Sequence, residues 1–273
     1  MSQPSPYRNV AVASTFSPRF KQVLAEAKRI RDRFDAQLHV IYVGEKTAET
    51  TKKFGDVFKQ LHLPDNSPIH YRQGTPAEAI LQAAAENNVD LLVAGALEKE
   101  VVLRPFLGDV ARRLVRDATC AVLLFTKPEH QPKPIKRMVF AADYSDHSRN
   151  SLRHAFHLAA AESCERLYVV RVYTTFDRAR ASLPDGAGNG RARARTFEEE
   201  ESALEEFVIS AGHTEVPIEA RCLRGNTGFA ASDFVQSIEA DLLAVPAHAS
   251  AKGLPHHVTW VTDVIPCNLW VIR

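Results

Sequence analysis

Apolar positions along this chain fall into two patterns, short uninterrupted runs and stripes of helical period, and these alternate in a fixed order. The first apolar run, Val10-Ala11-Val12-Ala13, ends in Ser14-Thr15-Phe16-Ser17-Pro18. Ser17 is suited to cap a helix and Pro18 to occupy its first position, where the missing N–H costs nothing. Phe20, Val23, Leu24, Ala27, Ile30 and Phe34 then recur at helical spacing and predict one buried stripe. Leu38 to Val43 reads as a second strand, Phe54, Val57, Phe58 and Leu61 as another helix, and Ile69-His70-Tyr71 as a short strand. Gly74-Thr75-Pro76 leads into a helix over about Ala77 to Glu86. Asp90-Leu91-Leu92-Val93-Ala94-Gly95 reads as a strand buried on both faces. Val110, Leu114 and Val115 mark a last helix before the strand Ala121–Phe125. Alternation of this kind predicts an α/β fold in which helices cover both faces of a parallel sheet.

The same succession returns after Lys127. Met138 to Ser145 matches Val10 to Ser17 at an offset of 128, and Leu167–Val172 matches Leu38–Val43 at 129. Gly225 matches Gly74 and Asp241-Leu242-Leu243 matches Asp90-Leu91-Leu92, both at 151, while Cys267 matches Cys120 at 147. Offsets that stay flat within elements and change between them are the mark of a duplicated domain. The expected organisation is a first domain over 1–127, a linker over 128–135 and a second domain over 136–273. Pro128, Pro132 and Pro134 make that linker an extended, semi-rigid connector. The jump in offset places an insertion at about 174–195, rich in glycine and carrying Arg178, Arg180, Arg191, Arg193 and Arg195. It reads either as a solvated loop or as a basic flap over a ligand or partner.

Charge and cysteine usage narrow the classes. Lys plus Arg number 34 against 33 Asp plus Glu, so the net charge of +1 argues against binding of a nucleic-acid backbone. No apolar run approaches the ~20 residues that cross a bilayer, so no membrane insertion is expected. No secretory signal is visible, and a cytoplasmic location is expected. Cys120, Cys164, Cys222 and Cys267 form no CxxC pair, which excludes the common zinc fingers and a disulfide scaffold. Cys120 and Cys267 read as small apolar packing groups or, if exposed and of low pKa, as redox sensors.

With its repeats in place, the chain resembles the universal stress protein family, in tandem. The resemblance rests on Thr15-Phe16-Ser17-Pro18, Asp143-Tyr144-Ser145, Gly74-Thr75-Pro76-Ala77, Asp90 to Gly95 and Ala118 to Leu123, in that spacing and twice over. It implies two Rossmann-like nucleotide-binding domains, each a five-stranded parallel sheet with helices on both faces. It also implies pairing of domains through their fifth strands and, in some members, ATP binding. Ligands in such sheets sit at the carboxyl ends of the strands where strand order reverses.

ATP-binding members of the family carry an aspartate after the first strand and a Gly-x2-Gly-x9-Gly-Ser/Thr phosphate loop. Here the outer glycines stand as Gly95 and Gly108, but the middle one is Glu98, the hydroxyl position is Asp109 and the strand-one aspartate is Thr15. Unit charges ~4 Å apart repel by ~4 kcal/mol at an effective dielectric near 20, against ~8 kcal/mol for a micromolar complex. The resemblance also places Ala13, Val43 and Val110 beside this site. In the second half Asp143 keeps the carboxylate and Val172 stands where Val43 does, but Pro246 ends the fourth strand and four residues of the phosphate loop are gone. The expected ligand is ATP or another adenine nucleotide at degenerate sites. His248, His256 and His257, with Asp143 and His147, lie on loops expected to converge; they read as zinc or anion contacts, or as solvent-exposed loop residues. A metal is not expected. His154 and His157 read as surface residues.

Ala121–Phe125 and Leu269–Ile272 are apolar final strands whose edges would close on each other, forming a pseudo-dimer within the chain, with Trp270 buried near the seam. The family also forms homodimers between chains; the sequence identifies no protein partner. No P-loop lysine motif, GxGxxG or nucleophilic triad pattern is present. The favoured reading is a non-catalytic stress-response regulatory or binding protein. A slow ATPase and a ligand-free scaffold for a protein partner are the alternatives.

Overall fold

The structure, a computed structural model, describes residues 5–14, 16–64, 66–96, 107–181, 194–248, 254, 258–259 and 265–273. These fall into two compact units. One is formed by the chain up to Pro134 with the C-terminal strand, the other by Ile135–Pro246 with Val258.

In the first unit, strands β1 (Asn9–Ser14), β2 (Gln37–Val43), β3 (Ile69–Arg72), β4 (Leu91–Gly95) and β5 (Ala121–Phe125) alternate with helices α1 (Phe20–Phe34), α2 (Ala48–Gln60), α3 (Pro76–Glu86) and α4 (Asp109–Asp117). The strand order is β3-β2-β1-β4-β5, all parallel, so the order reverses between β1 and β4. Consecutive residues of a strand point to opposite faces, yet Val10, Ala11 and Val12 are each at most 1% exposed. Both faces are therefore covered, as the uninterrupted apolar runs require.

The chain's last strand, β10 (Asn268–Ile272), pairs antiparallel with β5, Trp270 opposite Leu123. The Thr126 amide donates to the Asn268 side-chain carbonyl at 2.9 Å, closing one end of the ladder. Trp270 is wholly buried, its ring 6.1 Å from Tyr7 and 6.2 Å from Phe34. The final strands thus meet as their apolar, edge-forming character predicts.

The second unit repeats the first: β6 (Arg137–Ala141), α5 (Asp146–Glu162), β7 (Arg166–Tyr173), α6 (Thr175–Ala181), α7 (Phe197–Ala211), β8 (Ile218–Arg224), α8 (Thr227–Ser237) and β9 (Leu242–Pro246). Its strands lie in the order β9-β6-β7-β8, again parallel. The repetition reaches backbone detail. Left-handed residues recur at the repeat offsets: Asp35 (φ 49°) and Ser163 (φ 53°), Asn88 (φ 49°) and Glu239 (φ 48°). Gly74 and Gly225, which end the equivalent strand-to-helix turns, have φ of 112° and 143°, a conformation that L side chains rarely adopt.

Two local expectations shift. Helix α1 begins at Phe20 and not at Pro18: Ser17 accepts the Phe20 amide at 3.0 Å through its carbonyl, so Pro18 and Arg19 form a turn ahead of the helix. The insertion expected over 174–195 is not loop throughout, since its start winds into α6. Thr174 opens that helix, its hydroxyl accepting the Asp177 amide at 3.2 Å while the Asp177 carboxylate accepts the Thr174 amide at 2.9 Å. Residues 182–193 lie outside the described part of the chain.

Candidate functional site

In the first unit, the carboxyl ends of β1 and β2 converge on aromatic rings. Ala13 and Val43 are half-buried, and Thr15 lies outside the described residues. Phe16 packs with its ring centroid 4.9 Å from Tyr42, 4.9 Å from Phe54 and 5.1 Å from Phe20. The Tyr42 ring folds back over Gly44 so closely that a Cβ there would lie 2.6 Å from it. Lys53 caps the cluster, its ammonium 5.3 Å from the Phe16 centroid. Among the described residues, the ends of β1 and β2 are thus flanked by the protein's own packed rings.

At the other side of the same end, Gly95 closes β4 and Gly108 caps α4. The Gly108 amide donates to the Ala96 carbonyl at 3.1 Å, and the Ala96 amide to the Phe125 carbonyl at 2.9 Å. These bonds tie the start of α4 to the ends of β4 and β5. Asp109 is exposed in the first turn of α4, where its charge complements the helix dipole; Val110 is half-buried behind it. Glu98 lies outside the described residues.

The second unit differs at each of these points. Asp143 turns its carboxylate inward on its own loop: Oδ1 accepts the Ser145 amide at 2.9 Å and the Ser145 hydroxyl at 2.6 Å. Ser145 in turn caps α5 by accepting the Ser148 amide at 3.0 Å. Between them Tyr144 is left-handed, φ 64°. Asp143 therefore shapes the loop and does not line the cavity beneath it.

That cavity, of about 190 Å³, opens at the carboxyl ends of β6, β7 and β9, where the strand order reverses. Ala141, Ala142, Val172 and Leu243 form its sheet side, Ala231 and Val235 of α8 face them, and Val258 closes one wall. Thr174, Asp177, Thr227 and Arg171 supply the polar part of the lining. Of the residues expected from the sequence, Val172 lines this cavity.

Arg171 is held by a group the sequence pattern did not single out. Glu200, buried in the first turn of α7, accepts the Arg171 Nε–H at 3.2 Å, and Arg195 approaches its other oxygen at 3.5 Å. Both guanidinium carbons lie 5.3 Å from the Tyr144 ring centroid, so the ring is shared by two cations paired to one carboxylate. Burial, then the Glu200 charge, pushes the Tyr144 hydroxyl far above its ordinary value, so it stays protonated and donates to the Glu200 carbonyl at 3.4 Å. Cys222 is likewise pushed up to about 12 by burial, then by Glu200 and Glu201. A signal for this cluster was present in the repeat: Tyr144 stands where Phe16 does and Arg171 where Tyr42 does, a polar pair replacing an aromatic one.

Alongside, a groove of about 390 Å³ runs between α6, the start of α7 and the ends of β7 and β8. Tyr173, Thr174, Phe197, Arg178 and Arg224 line it, with Glu198 at its rim. The Arg224 guanidinium lies 3.9 Å from the Phe197 centroid, and Phe197 meets Tyr173 edge to face at 5.5 Å.

His248 is exposed after β9, and His256 and His257 lie outside the described residues. Among the described residues, no three His, Cys, Asp or Glu side chains gather as a metal site. His154 is half-buried and not a surface residue; burial, then His147 and His157, lowers its pKa to about 4. Burial raises the Cys120 thiol to about 11, opposite to the direction a redox thiolate needs. No described helix is long and apolar enough to cross a membrane.

A protein-family model described as the universal stress protein family matches residues 46–126 and 134–273. A universal stress protein of Methanocaldococcus jannaschii is 27% identical over 145 residues, covering 46% of this chain and 85% of that one. Among solved structures, a functionally unknown protein from Pseudomonas aeruginosa PAO1 matches with a TM-score of 0.74 at 15% identity, over 98% of this chain and 93% of its own. A universal stress protein from Archaeoglobus fulgidus matches with a TM-score of 0.67 at 14% identity, over 97% and 98%. At such identities the two structures speak for the fold.

Proposed function

Because the chain belongs to the universal stress protein family, we propose that it is a non-catalytic stress-response protein whose second unit takes an adenine nucleotide, while its first unit takes none. The observation that carries this reading is the contrast between equivalent places. Phe16, Tyr42 and Phe54 pack against one another at the first, whereas the second has a cavity of about 190 Å³ lined mainly by apolar side chains with a few polar groups. Sites for whole drug-sized ligands measure ~300–1,000 Å³, so this one suits a ring the size of a purine and not an entire nucleotide.

The polar groups at hand favour binding over turnover. Asp177 accepts from both the amide and the hydroxyl of Thr174, and Glu200 is paired with Arg171 and Arg195. Each carboxylate is already engaged by protein donors, which leaves neither placed to draw a proton from an attacking water.

Calorimetry with ATP, ADP and AMP, run beside an assay for released phosphate, tests the proposal. Heat of binding without phosphate release is the expected result, lost when Ala231→Phe fills the cavity in a protein that still melts cooperatively. Steady phosphate release would make the protein a slow ATPase. Silence toward all three nucleotides would leave a scaffold for a protein partner.

A further inference from the structure

The cavity seats a ring, while the loop after β9 departs in sequence from the family's glycine pattern and Asp143 Oδ1 is turned onto Ser145. The groove beside it carries arginines. Thr174 lines both spaces, and α6 sends Asp177 to the cavity and Arg178 to the groove. A ligand seated in one therefore reaches the other by passing the same residue.

We propose that the groove bounded by Arg178, Arg224 and Phe197 is an anion subsite, holding the phosphate chain of a nucleotide whose base occupies the adjoining cavity. The inference rests on the reading of the cavity given above. It places the phosphates over the ends of β7 and β8, on the side of the sheet away from β9.

Three features support it. Arg224 makes no ion pair among the described residues, and its guanidinium carbon lies over the Phe197 ring, 3.9 Å from the centroid. Stacking on the face leaves the N–H edge for in-plane acceptors, the geometry that suits phosphate oxygens. The floor is braced as well: Phe197 rests on Tyr173, whose hydroxyl donates to the Arg195 carbonyl at 3.1 Å and whose carbonyl accepts the Gly225 amide at 3.1 Å. Finally, the start of α7 is not the source of attraction. Thr196 and Glu199 already cap it, and Glu198 at the rim opposes an anion, so the attraction comes from the arginines.

Titration calorimetry with adenosine, ATP and tripolyphosphate separates the two sites. The wild-type protein is expected to bind ATP at least tenfold more tightly than adenosine. Arg224→Ala should cost about tenfold in ATP affinity, the usual scale for a lost charged hydrogen bond, and leave adenosine unchanged. Glu198→Gln should strengthen ATP binding by a few fold. Tripolyphosphate binding that is lost in Arg224→Ala, with adenosine silent, would sustain the anion subsite and remove the base site. Equal ATP affinity in wild type and Arg224→Ala would overturn the subsite while leaving the base site standing. Silence toward both ATP and tripolyphosphate would overturn both. Arg224 is exposed, and its variant is checked for an unchanged melting temperature.

Discussion

Phe16 lies 4.9 Å from Tyr42, ring to ring, at the place where its repeat counterpart Tyr144 stands 5.3 Å from the guanidinium of Arg171. One duplicated frame therefore ends in an apolar plug in one unit and in a charged, hydrogen-bonded cluster in the other. The backbone differs there as well: Tyr144 is left-handed at φ 64° and Phe16 is not, and Ser145 caps its helix through its side chain where Ser17 does not.

Removing the plug should be felt as lost packing. Phe16→Ala takes one ring away from Phe20, Tyr42 and Phe54. Full burial would make that cost ~3–5 kcal/mol, and for a half-buried ring about 2 kcal/mol is expected. Urea denaturation measures it. ATP affinity should not change; a clear gain in affinity would mean that the first unit, once opened, accepts a nucleotide after all.

Asp90 and Asp241 perform one task twice. Asp90 Oδ2 accepts the amides of Arg8 and Asn9 at 2.8 and 2.9 Å, and Asp241 Oδ2 accepts those of Lys136 and Arg137 at 2.8 and 2.9 Å. Each carboxylate thereby ties the entry to one strand to the start of another. Replacement by alanine should cost about 1–3 kcal/mol at either site, and asparagine, which keeps one acceptor oxygen, less. If Asp241→Ala proves neutral while Asp90→Ala is costly, the equivalence of the two sites is lost.

His154 should make the second unit less stable in acid. Its folded pKa of about 4 lies below its ordinary value near 6.5, through burial and through His147 and His157. As pH falls through 6.5 the unfolded chain takes up a proton that the folded chain does not bind until about 4, so stability declines over that window. A gap of this size corresponds to about 3 kcal/mol. Melting followed from pH 7 to 4 should show the decline, and His154→Gln should flatten it. His39 and His70, both lowered by burial with their ring nitrogens 3.1 Å apart, add a slope of the same sign. An NMR titration placing His154 near 6.5 would count against the prediction.

Much of the architecture was legible because it is written in local periodicity. Phe20 to Phe34 marks a helix by spacing, Val10 to Val12 a covered strand by continuity, and Gly74 and Gly225 a left-handed turn by residue type. Smaller features escaped where neighbouring residues compete for one role. Ser17 looked like a cap, yet the chain uses its carbonyl and begins α1 three residues later. In the insertion, Thr174 and Asp177 start a helix through a pair of reciprocal bonds that composition alone does not reveal.

The site was the harder part, because a pocket is made by residues far apart in the chain. The repeat pointed to the carboxyl ends of the strands, where a cavity opens, and Val172 lines that cavity. It also pointed to Asp143, whose carboxylate the fold directs to Ser145, a choice set by a left-handed Tyr144 that no pattern announces. Glu200 stands in a run of four glutamates, Glu198 to Glu201, and its position on α7 buries it beside Arg171 and Arg195.

The sequence by itself determined the duplication, the order of strands and helices, and the apolar final strands that meet as β5 and β10, since each depends on periodicity and register within a short segment. Only the tertiary structure decided what stands at two equivalent strand ends, packed rings at one and a cavity beside a charged cluster at the other. That outcome depends on the volume and charge of side chains brought together from separate elements, and no single segment contains them.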